Sequence, residues 1–236
     1  MRKLRVLAFG AHPDDVEYYC GGTLAKYKDL GHEVCICSLS NGDMGHKIIF
    51  PKELAEIRKR EAHKAADILG GILIWPGVPE EKVSDVCEIR CIVLDVIREV
   101  KPDVILTHAP EDYHPNHRDL SVMVWKASFN ATVPHIKSSF QSMDEFPVIY
   151  HMDTYSGVNF NPTDYVDITD TMSTKKEMMS KHESQLRWMK DFENKDILEQ
   201  MEVTAQYRGY QCGVKFAEGF RRVVTATLMT PERLLP

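Results

Sequence analysis

Residues 4–17, Leu-Arg-Val-Leu-Ala-Phe-Gly-Ala-His-Pro-Asp-Asp-Val-Glu, carry the reading of the fold. Leu4, Val6, Leu7, Ala8 and Phe9 make an apolar run too short for a core helix and closed by Gly10. That is the pattern of a buried parallel strand. His12, Asp14 and Asp15 follow around Pro13, and Gly21-Gly22-Thr23 lead into a helix predicted over 20–30 and ended by Gly31. A strand that delivers an imidazole and two carboxylates just before a helix puts metal-ligand chemistry at its carboxyl end. Open α/β sheets bind their ligands at that end.

Outward from this stretch the chain alternates. Residues 33–39 predict a second strand, turned by Asn41-Gly42-Asp43. After an irregular stretch at 44–50, Pro51 suits a first helical turn. Leu54, Ile57, Ala65, Ile68 and Leu69 then mark the buried face of a helix stopped by Gly70-Gly71. Strands at 72–75 and 104–107 flank a helix predicted over 83–100. The fourth strand runs into His108-Ala-Pro-Glu-Asp-Tyr-His-Pro-Asn-His-Arg118, followed by a helix over 119–131. Four strands, each followed by a helical or crossing segment, predict an α/β fold with a Rossmann-like, doubly wound, mainly parallel sheet. Beyond Pro134 the pattern changes. Segments 147–155 and 164–169 predict a hairpin or mixed sheet edge, 173–190 and 195–208 helices, and 223–229 a last strand. No repeat, low-complexity tract or linker interrupts the chain, so one domain over 1–236 is expected.

The net charge of −6, from 29 basic and 35 acidic side chains without a basic block, argues against nucleic acid as a partner. No apolar stretch reaches the ~20 residues of a membrane span. The amino terminus runs straight into the first strand, leaving no room for a signal peptide, so a cytoplasmic location is expected. The six cysteines read as ordinary buried thiols, with Cys35 and Cys37 on one face of their strand.

With strand order 3-2-1-4, strands one and four are neighbours and the crevice between their carboxyl ends is the switch point. His12, Asp14 and Asp15 would then meet His108, Asp112, His114 and His117. Two histidines and a carboxylate with an open fourth position form a common catalytic zinc set. A further carboxylate can take a proton from water activated by the metal. A non-ligating histidine can protonate a leaving amine or hold an oxyanion. Residue chemistry alone leaves open which histidines bind metal. The first turn lacks a Gly-x-Gly-x-x-Gly fingerprint, which disfavours a nucleotide-binding role. His108 reads as a supporting rather than ligating group, Asp43 as a turn former or a site residue, and His182 and Gln185 as local packing.

His12-Pro13-Asp14-Asp15 and His114-Pro115-Asn116-His117, in this order and distance, resemble the two motifs of the PIG-L/LmbE-like deacetylase family. Members of that family are zinc-dependent N-deacetylases of N-acetylglucosaminyl compounds. The similarity extends through Asn41-Gly42-Asp43, residues 53–61 with Ala65-Ala66 and Leu69-Gly70, Asp167-Ile168-Thr169, residues 182–185 and Ala217-Glu218-Gly219-Phe220. The resemblance implies that His12, Asp15 and His117 hold the metal and that Asp14 is the general base. It implies that His114 stabilises the oxyanion or protonates the departing amine, and that Arg58 contacts sugar hydroxyls or a phosphate-like group. Zinc is the expected cofactor, although such a donor set also accepts Fe²⁺ or Co²⁺. The expected partner is a small N-acetylated sugar, and the resemblance implies homo-oligomers, often hexamers of paired trimers. The expected reaction removes acetate from an N-acetylglucosamine-containing small molecule. An amidase acting on a larger thiol-sugar conjugate and a non-catalytic sugar- or nucleotide-binding relative are the alternatives. One position departs from the family, which usually has Asp where this chain has Asn116. In the family that Asp is held to orient and charge the preceding histidine. Here His114 is therefore expected to titrate lower, or Asp112 or another carboxylate to supply the charge.

Overall fold

A computed structural model describes residues 2–236; Met1, where the expected domain begins, lies outside them. Seven strands form one sheet: β1 (Arg5–Gly10), β2 (Glu33–Ser38), β3 (Ile72–Ile74), β4 (Val104–Thr107), β5 (Val148–Met152), β6 (Asp164–Asp167) and β7 (Ala217–Arg222). Their spatial order is β3-β2-β1-β4-β5-β7-β6. The first five run parallel and β7 is antiparallel to both β5 and β6. The helices are α1 (Asp15–Asp29), α2 (Pro51–Leu69), α3 (Cys87–Val100), α4 (Pro115–Ala131), α5 (Met172–Ser180), α6 (Glu183–Glu193) and α7 (Ile197–Cys212). The mainly parallel, doubly wound sheet with a mixed edge is the architecture expected from the sequence.

β1 lies inside the sheet between β2 and β4, and its alternation feeds two cores. Val6 and Ala8 pack with residues of α1, α2, α5 and α7 on one face. Leu7 and Phe9 pack with Cys35, Cys37 and residues of α3 and α4 on the other. Because both faces are covered, the strand reads as an unbroken apolar run. β1 pairs with β4 through Val6↔Val104 and Ala8↔Leu106. The loops after these two strands are therefore adjacent, as the 3-2-1-4 order requires.

Three of the six cysteines, Cys87, Cys91 and Cys212, are exposed and not buried as expected, and four expectations about the elements change. α1 starts at Asp15, not near residue 20, so the glycine pair lies inside the helix. A Cβ on Gly22 would sit 2.9 Å from three side-chain atoms of Ile168. This glycine serves close packing, not a helix start. β5 and β6 form no hairpin, because β7 inserts between them with Phe220 paired to both Met152 and Asp164. The last strand is β7 at 217–222, not 223–229. Its Glu218 is buried and accepts hydrogen bonds from the backbone N–H groups of Gly22 and Thr23 and from Lys175 Nζ. Finally, the helix predicted over 173–190 breaks into α5 and α6 at Lys181-His182, where His182 turns inward beside Glu17.

Candidate active site

The turn after β1 is folded back tightly. A Cβ on Gly10 would meet that of Asp15 at 3.0 Å, so the strand must end in glycine for Asp15 to come over it. Asp15 Oδ2 accepts the backbone N–H of His12 at 2.7 Å. Asp14, the residue before α1, has φ 105° and ψ −23°. Such left-handed geometry in a non-glycine costs about 1–3 kcal/mol and persists only where the surroundings enforce it. Arg58 of α2 is part of that enforcement. It is 3% exposed, and its Nη2 donates to Pro13 O at 2.8 Å and lies 3.4 Å from Asp14 Oδ1. Its Nη1 donates to Gly42 O at 3.2 Å, tying the first turn to the loop after β2.

The segment after β4 supplies the other half. His114 caps α4 and Pro115 occupies the first helical turn, which places His117 on the face toward β1. Asp112 Oδ1 accepts the His114 backbone N–H at 2.9 Å and lies 3.1 Å from His117 Nδ1. Asn116 donates its backbone N–H to His114 Nδ1 at 3.3 Å. A neutral His114 accepting at Nδ1 carries its own proton on Nε2.

His12, Asp15 and His117 come together. His12 Nδ1 lies 3.2 Å from His117 Nε2 and 3.4 Å from Asp15 Oδ2, and His117 Nε2 lies 3.3 Å from Asp15 Oδ1. Donors at 2.0–2.1 Å around a tetrahedral Zn²⁺ are separated by about 3.3 Å, so the three groups fit such an ion. His117 belongs to two sets of donors within 4.8 Å of one another, one with His12 and His114 and one with Asp15 and His108. His108 is fully buried, its Nε2 3.1 Å from both the Ala11 amide nitrogen and Asp15 Oδ2, and its ring stacks on His117 at 3.8 Å. It supports Asp15 and His117 from behind.

The electrostatics follow this geometry. Burial works to raise the Asp15 carboxyl, but His117, His108 and His12 outweigh it and hold the group well below the usual carboxylate range. Burial opposes charge on His117, yet Asp15 and Asp112 carry it up to about 10. A proton held between two buried carboxylates marks a place where positive charge is wanted, which a cation also satisfies. Asp14 is raised to about 6, by burial above all, with Arg58 pulling the other way. His114 is lowered to about 4 by burial and by His12 and His117. That lowering of His114 comes from burial and the neighbouring imidazoles and not from Asn116. Its neighbour differs from expectation: the Asn116 side chain faces His12 Nε2 at 3.2 Å, and only its backbone reaches His114.

All six singled-out residues, His12, Asp14, Asp15, Arg58, His114 and His117, line one cavity of about 330 Å³. Arg58 borders it with its guanidinium engaged by backbone carbonyls. The cavity also takes in Tyr18, Tyr113, Tyr155, Glu80, Gln185, Met189 and Lys195. Tyr155 faces Tyr18 and Tyr113 at 5.7 Å each, an aromatic wall beside the histidines. Tyr113 lies inside the second motif stretch and Tyr18 in the helix behind the first, so position alone could have suggested them. Glu80, Tyr155 and Lys195 carry no pattern that points to a site. Asp43 accepts the Glu80 backbone N–H at 3.0 Å, which makes it a structural tie between loops.

Comparison with known proteins gives a consistent result. Residues 7–128 match the family described as PIG-L: GlcNAc-PI de-N-acetylase. A diacetylchitobiose deacetylase of Thermococcus kodakarensis is 30% identical over 235 aligned positions, covering 93% of this chain and 83% of that protein. The structure of N,N′-diacetylchitobiose deacetylase from Pyrococcus horikoshii superposes with a TM-score of 0.81 at 26% identity, over 93% of this chain and 83% of that one. That of a 4-carboxy-2-hydroxymuconate hydratase from Pseudomonas putida has the same TM-score of 0.81 at 21% identity, over 98% and 100% of the two chains, and shows the fold alone.

Proposed function

Because the chain belongs to the PIG-L (GlcNAc-PI de-N-acetylase) family, we propose that it is a metal-dependent hydrolase that removes the N-acetyl group from an N-acetylglucosamine-containing small molecule. The observation that carries this reading is the meeting of His12, Asp15 and His117 at 3.2–3.4 Å, beside an Asp14 carboxylate held by Arg58. These three residues would hold Zn²⁺, and Fe²⁺ or Co²⁺ suit the same donors. The ion, when bound, polarises the acetyl carbonyl and makes water nucleophilic near neutral pH.

The remaining work falls to the protein. Asp14 accepts the proton of the attacking water and passes it to the departing amine. His114, with Nδ1 engaged by the Asn116 N–H, presents Nε2–H to the oxyanion as a neutral donor. Arg58 fixes the strained turn so that the Asp14 carboxylate faces the cavity. Tyr18, Tyr113 and Tyr155 offer ring faces to a sugar. No described helix is long and apolar enough to cross a membrane. The reading also carries a single domain, a cytoplasmic location, a homo-oligomeric assembly and no nucleic-acid partner.

The test is product analysis with N-acetylglucosamine, N,N′-diacetylchitobiose and N-acylglucosamine conjugates of larger acids. Acetate release from one of the first two, with metal present, is the expected result. Release only of a larger acyl group would favour the amidase alternative, and no amide cleavage of any substrate would sink the reading.

A further inference from the structure

We propose that Glu80 is a positioning residue for His12, supplying the carboxylate that position 116 lacks. The inference rests on the metal reading above. His12 turns Nδ1 toward His117 and Asp15, so as a ligand it carries its proton on Nε2. A ligating imidazole needs an acceptor for that proton, and a carboxylate there also makes the ring a better donor to metal. Two side chains face His12 Nε2. The Asn116 amide lies 3.2 Å away with Nδ2 toward the ring, and Glu80 Oε1 lies 3.8 Å away.

Asn116 is poorly placed to be the acceptor. Its Nδ2 also points at the backbone carbonyl of Glu80, at 3.5 Å, and turning the amide to offer oxygen to His12 would give up that contact. Glu80 has the spare capacity. Its Oε2 is buried without a hydrogen-bond partner, and its backbone is fixed by Asp43 Oδ1. In the metal-bound form a rotation of the Glu80 side chain would bring a carboxylate oxygen onto the Nε2 proton, with Asn116 Nδ2 drawn off the ring toward the Glu80 carbonyl that it already faces at 3.5 Å. The pair is then matched: a carboxylate at 80 requires a neutral side chain at 116, since two anions would repel each other over one imidazole. In this chain the neutral amide at 116 thus faces a ring whose charged partner comes from the loop after β3.

The experiment measures zinc affinity by competition with a chromophoric chelator, without substrate. It compares wild type, Glu80→Gln, Asn116→Asp and the double variant. Glu80→Gln should bind zinc about 10–100-fold more weakly, the range for loss of such a partner. Asn116→Asp should restore affinity in the Glu80→Gln background to within about threefold of wild type, while giving no comparable gain beside native Glu80. Restored affinity in the double variant requires a folded site, so a fold defect in Glu80→Gln alone would be recognised. Glu80→Gln binding zinc as wild type does, or a double variant no tighter than Glu80→Gln, would overturn the proposal while leaving the metal reading intact. A wild-type chain that takes up no metal would overturn both.

Discussion

Replacing Arg58 with methionine separates two roles for its guanidinium. The group lies 3.4 Å from Asp14 Oδ1, both side chains being largely buried. A unit-charge pair at that distance is worth roughly 1–5 kcal/mol between bulk-water and protein-like screening. A neighbouring arginine ordinarily lowers a carboxylate by about 1–3 pH units. Arg58→Met should therefore raise the acidic limb of kcat/KM by about that much. Asp14 stands at about 6 with Arg58 in place. A rise of about 2 from there takes its ionised fraction at pH 7 from about nine-tenths to about one-tenth, and the rate down about tenfold. By about pH 9 most of that loss should be recovered. A bound cation lowers both limbs alike, so the displacement between variants is the readout. Arg58→Lys keeps the charge but not the fork across Pro13 O and Gly42 O, and should move the limb less. The assay is acetate release against pH at saturating metal. A limb displaced by less than about 0.5 with a raised KM would refute the positioning role and return Arg58 to the sugar contact that the family resemblance implies.

Further predictions concern the oxyanion donor and the core. His114→Ala should lower kcat by about 10²–10³ and leave the alkaline limb in place, because a neutral donor does not titrate across it; disappearance of that limb would make His114 the general acid instead. Lys175→Met leaves Glu218 buried with only the Gly22 and Thr23 N–H groups. It should cost about 3–5 kcal/mol, seen as a Tm lower by roughly 6–20 °C; an unchanged Tm would show that the pair contributes nothing net. Gly22→Ala pushes a methyl group into Ile168 at 2.9 Å and should destabilise by about 1–3 kcal/mol in denaturant titration; a neutral or stabilising result would mean that the segment between β6 and α5, where Ile168 lies, gives way at no cost.

The order of the first four strands and the convergence of both motif stretches were legible because they rest on patterns with a physical cause. β1 and β4 are buried on both faces and read as apolar runs, and parallel winding fixes where their carboxyl ends meet. Features created by tertiary contacts were not legible. β7 reads as polar because Glu218 and its arginines interrupt it, and Lys175 on a distant helix, together with the Gly22 and Thr23 N–H groups, makes a buried glutamate tolerable there. The break between α5 and α6 depends on Glu17, far upstream, drawing His182 into the interior. α1 begins early because Asp14 adopts a left-handed backbone that Arg58 holds from another helix, and nothing local announces it. In the site, residue types and spacing nominated the donors. The orientation of Asn116 toward His12, the engagement of Arg58 by carbonyls, and the arrival of Glu80 and Tyr155 are consequences of loop packing.

The most direct measurement pairs bound metal with acetate release for wild type, chelator-treated wild type and Asp14→Ala. Wild type and Asp14→Ala should each hold about one metal ion per chain. Chelator treatment should abolish acetate release and added metal restore it. Asp14→Ala, still loaded, should release acetate about 10²–10⁴-fold more slowly than wild type. Full activity in loaded Asp14→Ala, or undiminished activity after metal removal, would contradict a metal-dependent deacetylase in which Asp14 is the base.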